Sequence, residues 1–311
     1  MTGLASLTVM QQALEARIVD TGETTIRVRS AGSGPGVLLL HGFPETSLMW
    51  RDIAGVLARR FTVVCADLRG YGESGCPASS ADHAAYSKRA LARDMVAVMA
   101  SLGFERFSVA GHDRGGRVAY RLALDHPQRI ERLAVLDVVP VDVAWDRADD
   151  RFALGFWPWS LLAQAEPLPE RLLGAAPEAV IDAALGPQWG TPASTFDAEI
   201  RAAYLAQLQD PVHVHAICEE YRAAAGIDRE HDRGDREAGR RITCPLLTMW
   251  SAGGPLGYWY EDIGGPIAVW RELADDVSGR AVDGGHFFPE EHPGDTATAL
   301  LECFASTRGD G

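Results

Sequence analysis

The sequence predicts an α/β fold: a mostly parallel, eight-stranded sheet with helices on both faces and a helical insertion after residue 140. Three observations predict it. Short, wholly apolar runs alternate with stretches of helical spacing. Several of these runs end in Gly- or Asp-containing turns. The alternation stops near Val141 and resumes near Pro245.

In chain order, the first dozen or so residues read as a loose tail or a short helix. Ala16–Asp20 and Thr24–Ser30 flank the turn Thr21-Gly22-Glu23 and read as strands. Gly36–Leu40 and Phe61–Asp67 are apolar enough for strands buried on both faces. Lys88–Leu102 has helical spacing. Phe107–Ala110 is a further buried strand, followed by a helix over Val118–Asp125 and a strand at Leu133–Leu136. From Val141 to Asp235, Ala-, Leu- and Trp-rich helical segments are broken by Pro158, Pro167, Pro169 and Pro187, as an inserted cap would be. Strands return at Pro245–Trp250 and Gly279–Val282, and a helix over Asp295–Ala305 closes the chain. The expected organisation is a core of residues 1–140 and 236–311 carrying a cap of residues 141–235. The polar stretch Asp228–Arg241 reads as a solvated helix or a cap-to-core link.

Composition narrows the partners. With 47% apolar and 23% charged residues the chain is ordinary for a soluble globular protein. The net charge of -14 argues against nucleic acid and anionic membranes as partners. No apolar run reaches the roughly 18 residues of a membrane span, and the N-terminus has no signal-peptide pattern. The five scattered cysteines suit free thiols in a reducing cytoplasm, and no disulfide framework, metal site or cofactor motif follows from them.

Gly111-His112-Asp113-Arg114-Gly115 lies between a buried strand and a helix. Gly-x-nucleophile-x-Gly in that setting is the nucleophile elbow of the α/β-hydrolase fold. Read alone, Asp113 is equally a helix N-cap; its company favours the nucleophile. His286 follows the last strand, where this fold carries its general base, although read alone it is a loop histidine. The acid that orients it is Asp137, at the end of the strand before the insertion; the loop after Trp250 offers no acid until Glu261. Asp137 also reads as a turn residue ahead of Pro140. The oxyanion hole is expected from the backbone N–H groups of Arg114 and Phe43.

A carboxylate nucleophile suits displacement at an sp³ carbon. The alkyl ester formed on Asp113 is then hydrolysed by water that His286 activates, which points to alkyl halides or epoxides. Arg114 and Arg117 decide between them. Two cations at a helix N-terminus oppose the macrodipole by a few tenths to ~1 kcal/mol each. Their obvious use is to grip a substrate carboxylate, so the substrate expected is a small anionic halo-acid, with water the second reactant. The plainer role for Arg117 is a surface salt bridge.

HGFPETSLMW, DLRGYGES, GHDRGGRVAYRLALDHP, LDVVP, LLAQAEPLPERLL, CEEYRAAAGID and GGHFFPEEHP together resemble the haloacetate (fluoroacetate) dehalogenases of the α/β-hydrolase superfamily. The resemblance implies Asp113 as nucleophile, His286 as base, Asp137 as its partner and Arg114 and Arg117 as carboxylate ligands. It implies a homodimer and a halide pocket that includes Trp159 and Tyr221. Where the family has a halide-binding His, this chain has Pro158, which offers no donor. Carbon–fluorine cleavage is therefore expected to be weakened. His112, Pro158 and Trp189 are expected to line the substrate pocket. Trp157 or Trp189 is either a substitute donor or apolar packing. The alternative activity is epoxide hydrolysis by the same Asp-His-Asp triad. It needs two cap tyrosines, and only Tyr221 stands in place.

Overall fold

The computed structural model describes residues 14–305. Its strands are β1 (Glu15–Asp20), β2 (Thr25–Ala31), β3 (Gly36–Leu40), β4 (Thr62–Ala66), β5 (Phe107–His112), β6 (Ile130–Leu136), β7 (Leu246–Ser251) and β8 (Val277–Val282). They form one eight-stranded sheet in the order β1-β2-β4-β3-β5-β6-β7-β8. The β1–β2 and β2–β4 pairs are antiparallel and every other pair is parallel. All of β3 and β5 is buried, as strands flanked on both sides in the sheet require, although β5 carries Ser108 and His112. The predicted N-terminal tail lies outside the described residues.

The helices Lys88–Ser101, Arg114–Asp125 and Pro293–Ala305 stand within a few residues of their predicted bounds. Three short ones, Arg51–Leu57, Pro255–Trp259 and Gly265–Arg271, are not legible in the sequence. Helices of one or two turns have too little periodicity to read and are held by tertiary packing. Between β6 and β7 the chain is helical from Val141–Asp146 through Ile227–Glu237, with no strand among the described residues.

Of the two readings of Asp228–Arg241, the solvated helix does not hold and the link to the core fits. Helix Ile227–Glu237 is not solvated all round: Asp228, Asp232 and Asp235 are buried. Asp228 Oδ1 accepts the Lys88 backbone N–H at 2.8 Å. Asp232 accepts from Tyr120 Oη at 2.7 Å and Arg121 Nη2 at 2.5 Å, and Arg121 also pairs with Asp235. Those partners lie more than a hundred residues upstream, so local sequence cannot show that this acidic face docks on basic residues of the core.

The C-terminal ends of β3, β5 and β6 converge, and the ladder continues past them. Asp113 N–H donates to Leu136 O at 3.1 Å, and Asp137 N–H donates to Met249 O at 2.8 Å. The sheet itself therefore sets the spacing of the two aspartates.

Candidate active site

Asp113 sits between β5 and helix Arg114–Asp125 with φ 44 and ψ -114, a conformation L-residues rarely adopt. The turn is possible because glycines surround it. A Cβ on Gly111 would stand 2.2 Å from Gly115 O, and one on Gly115 would stand 2.4 Å from Leu40 O. These obstacles are backbone and cannot swing aside. Gly115→Ala is expected to cost about 3 kcal/mol of stability, measured by urea unfolding, or to leave the chain unfolded. Unchanged stability would show that the turn relaxes. The N-cap reading of Asp113 does not hold, because its side chain makes no cap hydrogen bond.

Its carboxylate points into the site. Phe43 N–H donates to Asp113 Oδ2 at 3.1 Å, and Arg117 Nη1 donates to Oδ1 at 2.8 Å. Arg117 is thus a buried partner of Asp113 and not a surface ion pair. Burial pushes the Asp113 carboxyl up, but Arg117, His286, Arg114 and His112 together outweigh it and hold the group well below the usual carboxylate range.

His286 follows β8, and its Nδ1 donates to Asp137 Oδ2 at 2.5 Å. That fixes the tautomer and leaves Nε2 free to accept a proton. Asp137 is at φ 54, and its other oxygen accepts the Ser251 N–H at 2.9 Å. A turn-only role for Asp137 would not explain this aim. The Trp189 ring lies against the His286 ring, centroids 5.3 Å apart, and His286 N–H donates to Trp189 O at 2.9 Å.

Asp113 and His286 share a small cavity with Phe43, Phe156, Pro158, Trp159, Ala184, Trp189, Tyr221 and Phe287, with a volume of about 10 Å³. That is room for about one water molecule. The expected pocket residues Pro158, Trp159, Trp189 and Tyr221 are in place. Trp157 is half-buried and does not line the cavity.

One expectation needs correction, and Arg114 has a partner that the sequence does not show. His112 is not a pocket residue. It is fully buried behind the site, with Nδ1 2.9 Å from Glu45 Oε2 and Nε2 2.8 Å from the His286 carbonyl oxygen. Arg114 is not a free cation. Its Nε and Nη2 donate to Glu220 at 2.7 Å, and Lys88 Nζ pairs with the same carboxylate. Glu220 offsets the charge that the sequence assigned to the substrate. It was readable only as the neighbour of Tyr221 in CEEYR. What Arg114 keeps is Nη1, which is buried and without a partner, as is Arg117 Nε. Both guanidinium groups lie over the Trp159 ring, at 5.0 and 4.6 Å, and Arg114 lies over Tyr221 at 4.0 Å.

The α/β hydrolase fold family matches residues 35–214. Fluoroacetate dehalogenase from Burkholderia sp is 42% identical over 299 residues, 96% of each chain. This chain belongs to the haloacetate dehalogenase family of α/β hydrolases. Soluble epoxide hydrolase from Corynebacterium sp. (strain C12) is also similar to this α/β hydrolase, 31% identical over 295 residues, 90% of this chain and 93% of that protein. Among solved structures, a putative alpha/beta hydrolase from Nostoc sp PCC 7120 superimposes with a TM-score of 0.91 at 46% identity, covering 95% of this chain and 99% of the other. A putative epoxide hydrolase from Pseudomonas aeruginosa does so with a TM-score of 0.86 at 43% identity, covering 94% and 95%. Among the described residues of this α/β hydrolase, no helix is long and apolar enough to cross a membrane.

Proposed function

We propose that the chain hydrolyses the carbon–halogen bond of short 2-haloacids such as haloacetates, giving the 2-hydroxy acid, halide and a proton. The observation that carries this reading is the pair of unpartnered, buried guanidinium nitrogens, Arg114 Nη1 and Arg117 Nε, beside Asp113. Buried donors on cations without acceptors are rare, and the fitting acceptor for two of them is a carboxylate.

In the first step an Asp113 oxygen attacks the α carbon, an Asp113–carbon ester bond forms, and the carbon–halogen bond breaks. Phe43 N–H holds Oδ2, so Oδ1 is the attacking atom once Arg117 turns to the substrate carboxylate. The halide leaves toward Trp159 and Tyr221. In the second step His286 Nε2 takes a proton from water, and the hydroxide adds to the Asp113 carboxyl carbon. Phe43 N–H, with the Arg114 N–H, supports the oxyanion; the bond between the carboxyl carbon and Oδ1 then breaks, the departing alkoxide takes the proton held by His286 and leaves as the hydroxy acid, and the Asp113 carboxyl loses its proton. The helices of residues 141–235 serve as the cap that excludes bulk water.

Pro158 bears on the halide. It lies in the first turn of helix Trp157–Leu162, where proline is well tolerated, and it lines the cavity without a donor. Pro158→His is expected to raise fluoride release from fluoroacetate about ten- to hundredfold, the effect of one hydrogen bond of ~1–3 kcal/mol. Bromide release from bromoacetate should change little. Ion-selective electrodes read both, and equal fluoride release by the two proteins would show that Pro158 does not limit that step. Epoxide opening needs acids in the cap, and among the cavity-lining residues Tyr221 is the only tyrosine. The deciding assay is halide release across fluoro-, chloro- and bromoacetate with styrene oxide alongside. Diol without halide release would transfer the assignment to epoxides.

A further inference from the structure

We infer that Glu45 and Glu290 share a single proton, and that Glu290, acting through Glu45 and His112, positions the base His286 and the oxyanion loop. The positioning role rests on the dehalogenase reading; the shared proton does not.

Both carboxyl groups are buried with no exposed side-chain surface. Each has one committed oxygen. Glu45 Oε2 accepts from His112 Nδ1 at 2.9 Å and from Gly42 N–H at 3.1 Å. Glu290 Oε1 accepts from Arg51 Nη1 and, at 3.0 Å, from Tyr204 Oη. The other oxygens, Glu45 Oε1 and Glu290 Oε2, are buried and have no donor. The two groups are close enough that each acts on the ionisation of the other. Two neighbouring buried carboxylates without a donor repel, whereas one proton shared by the pair would satisfy both orphaned oxygens.

The charges around the pair place the proton on Glu290. His112 has an oxygen at each ring nitrogen, Glu45 Oε2 and the His286 carbonyl, an arrangement an imidazolium satisfies by donating to both. Burial opposes that charge, but Glu45 draws His112 up to about 9. Glu45 is therefore the ionised member, held low by His112 against burial. Burial and then the Glu45 charge push Glu290 up to about 8, against Arg51. The groups facing Glu290 are Arg51, Tyr204 and Glu45, with His112 and His286 one layer further on.

The pair has reach because Glu45 touches three parts of the site. It holds Gly42, next to the Phe43 donor. It holds His112, next to Asp113. Through His112 it also holds the backbone of His286. None of these contacts touches substrate, so Glu290 is a positioning residue. Loss of its proton puts a second negative charge beside Glu45 and loosens all three contacts.

Infrared difference spectra between the wild type and Glu290→Gln read the proton directly. A protonated-carboxyl band is expected at pH 7 in the wild type, fading as pH rises through about 8 and absent from the variant. The difference isolates it from Asp232, whose burial raises it only to about 6. The second measurement is ester hydrolysis in a single turnover of bromoacetate from pH 6 to 10. The wild type is expected to slow above pH 8. Glu290→Gln, whose amide donates permanently to Glu45, should keep the neutral rate and lose that alkaline decline. Glu290→Leu should hydrolyse the ester roughly tenfold more slowly at every pH, within the usual effect of a lost orienting contact. An unchanged band in Glu290→Gln overturns the shared proton. An alkaline decline identical in Glu290→Gln and wild type overturns the positioning role, even if Glu290→Leu does not fold. A Glu290-dependent band in a protein that releases no halide keeps the proton and discards the dehalogenase reading.

Discussion

His286→Ala protein mixed with bromoacetate is expected to release a single equivalent of bromide per chain and then stop. Its intact mass should rise by one carboxymethyl group, and fragmentation should place that group on Asp113. As proposed, the first displacement needs the Asp113 carboxylate, Arg117 and a halide site, all of which survive the substitution. The second step needs a base, and the cavity holds no substitute: apart from Asp113 and His286, Tyr221 is its only titratable lining residue, and burial raises that phenol well above its ordinary value. Removing a positioned general base should slow steady turnover at least about a thousandfold. Repeated turnover in the variant, or bromide release with no mass gain, would remove Asp113 as a nucleophile. A styrene oxide adduct on Asp113, with none from bromoacetate, would move the chain to the epoxide hydrolases.

Arg117→Met is expected to lower kcat/KM for haloacetates by about 30- to 1000-fold, the effect of about 2–4 kcal/mol for truncating one partner of a buried ion pair. The pH profile should change as well. After burial, which raises the Asp113 pKa, Arg117 is the largest influence, and it acts to lower it. Without it the Asp113 carboxyl titrates at higher pH, and activity should fall on the acid side where the wild type is still active. Stability follows the same linkage. A depressed carboxyl pKa stabilises the fold fully above the unfolded-state value, and that contribution is lost as pH falls through the folded-state value. The loss of Tm in Arg117→Met should therefore be larger at pH 7 than at pH 3. Unaltered KM together with an unaltered acid limb would show that Arg117 serves neither the substrate nor Asp113.

What could be read in the sequence was whatever is local. Asp113 announces itself because an elbow needs glycines at fixed offsets and an apolar strand before it. Asp137 and His286 can be placed because each follows a strand of the same sheet, Asp137 directly after β6 and His286 in the loop after β8. Pro158 and Trp159 could be aligned because both lie in one short helix, and both line the cavity. The partners of charged groups were not legible. Arg114 carries the same sequence signal whether its guanidinium waits for a substrate or already grips Glu220, 106 residues away. His112 looked like a pocket residue because it adjoins Asp113. His112, though, is the last residue of β5 and turns to Glu45, while the elbow turns Asp113 into the site. The acidic face of helix Ile227–Glu237 read as solvated because its partners Lys88, Tyr120 and Arg121 belong to distant helices.

The 2.8 Å contact between Arg117 Nη1 and Asp113 Oδ1 has a chemical consequence for the resting protein. On the proposed mechanism the attacking oxygen is sheathed by its own cation until something more attractive to Arg117 arrives. An anionic electrophile supplies that lure itself, through its carboxylate, and unmasks the oxygen in the act of docking. A neutral alkylating agent of the same size has nothing to offer the guanidinium and meets a covered nucleophile. Bromoacetamide, alike in shape and reactive carbon but uncharged, should therefore leave Asp113 unmodified under conditions where bromoacetate esterifies it. On the proposed mechanism the ion pair would act as a safeguard, keeping a reactive carboxylate from being spent on the stray electrophiles of its surroundings.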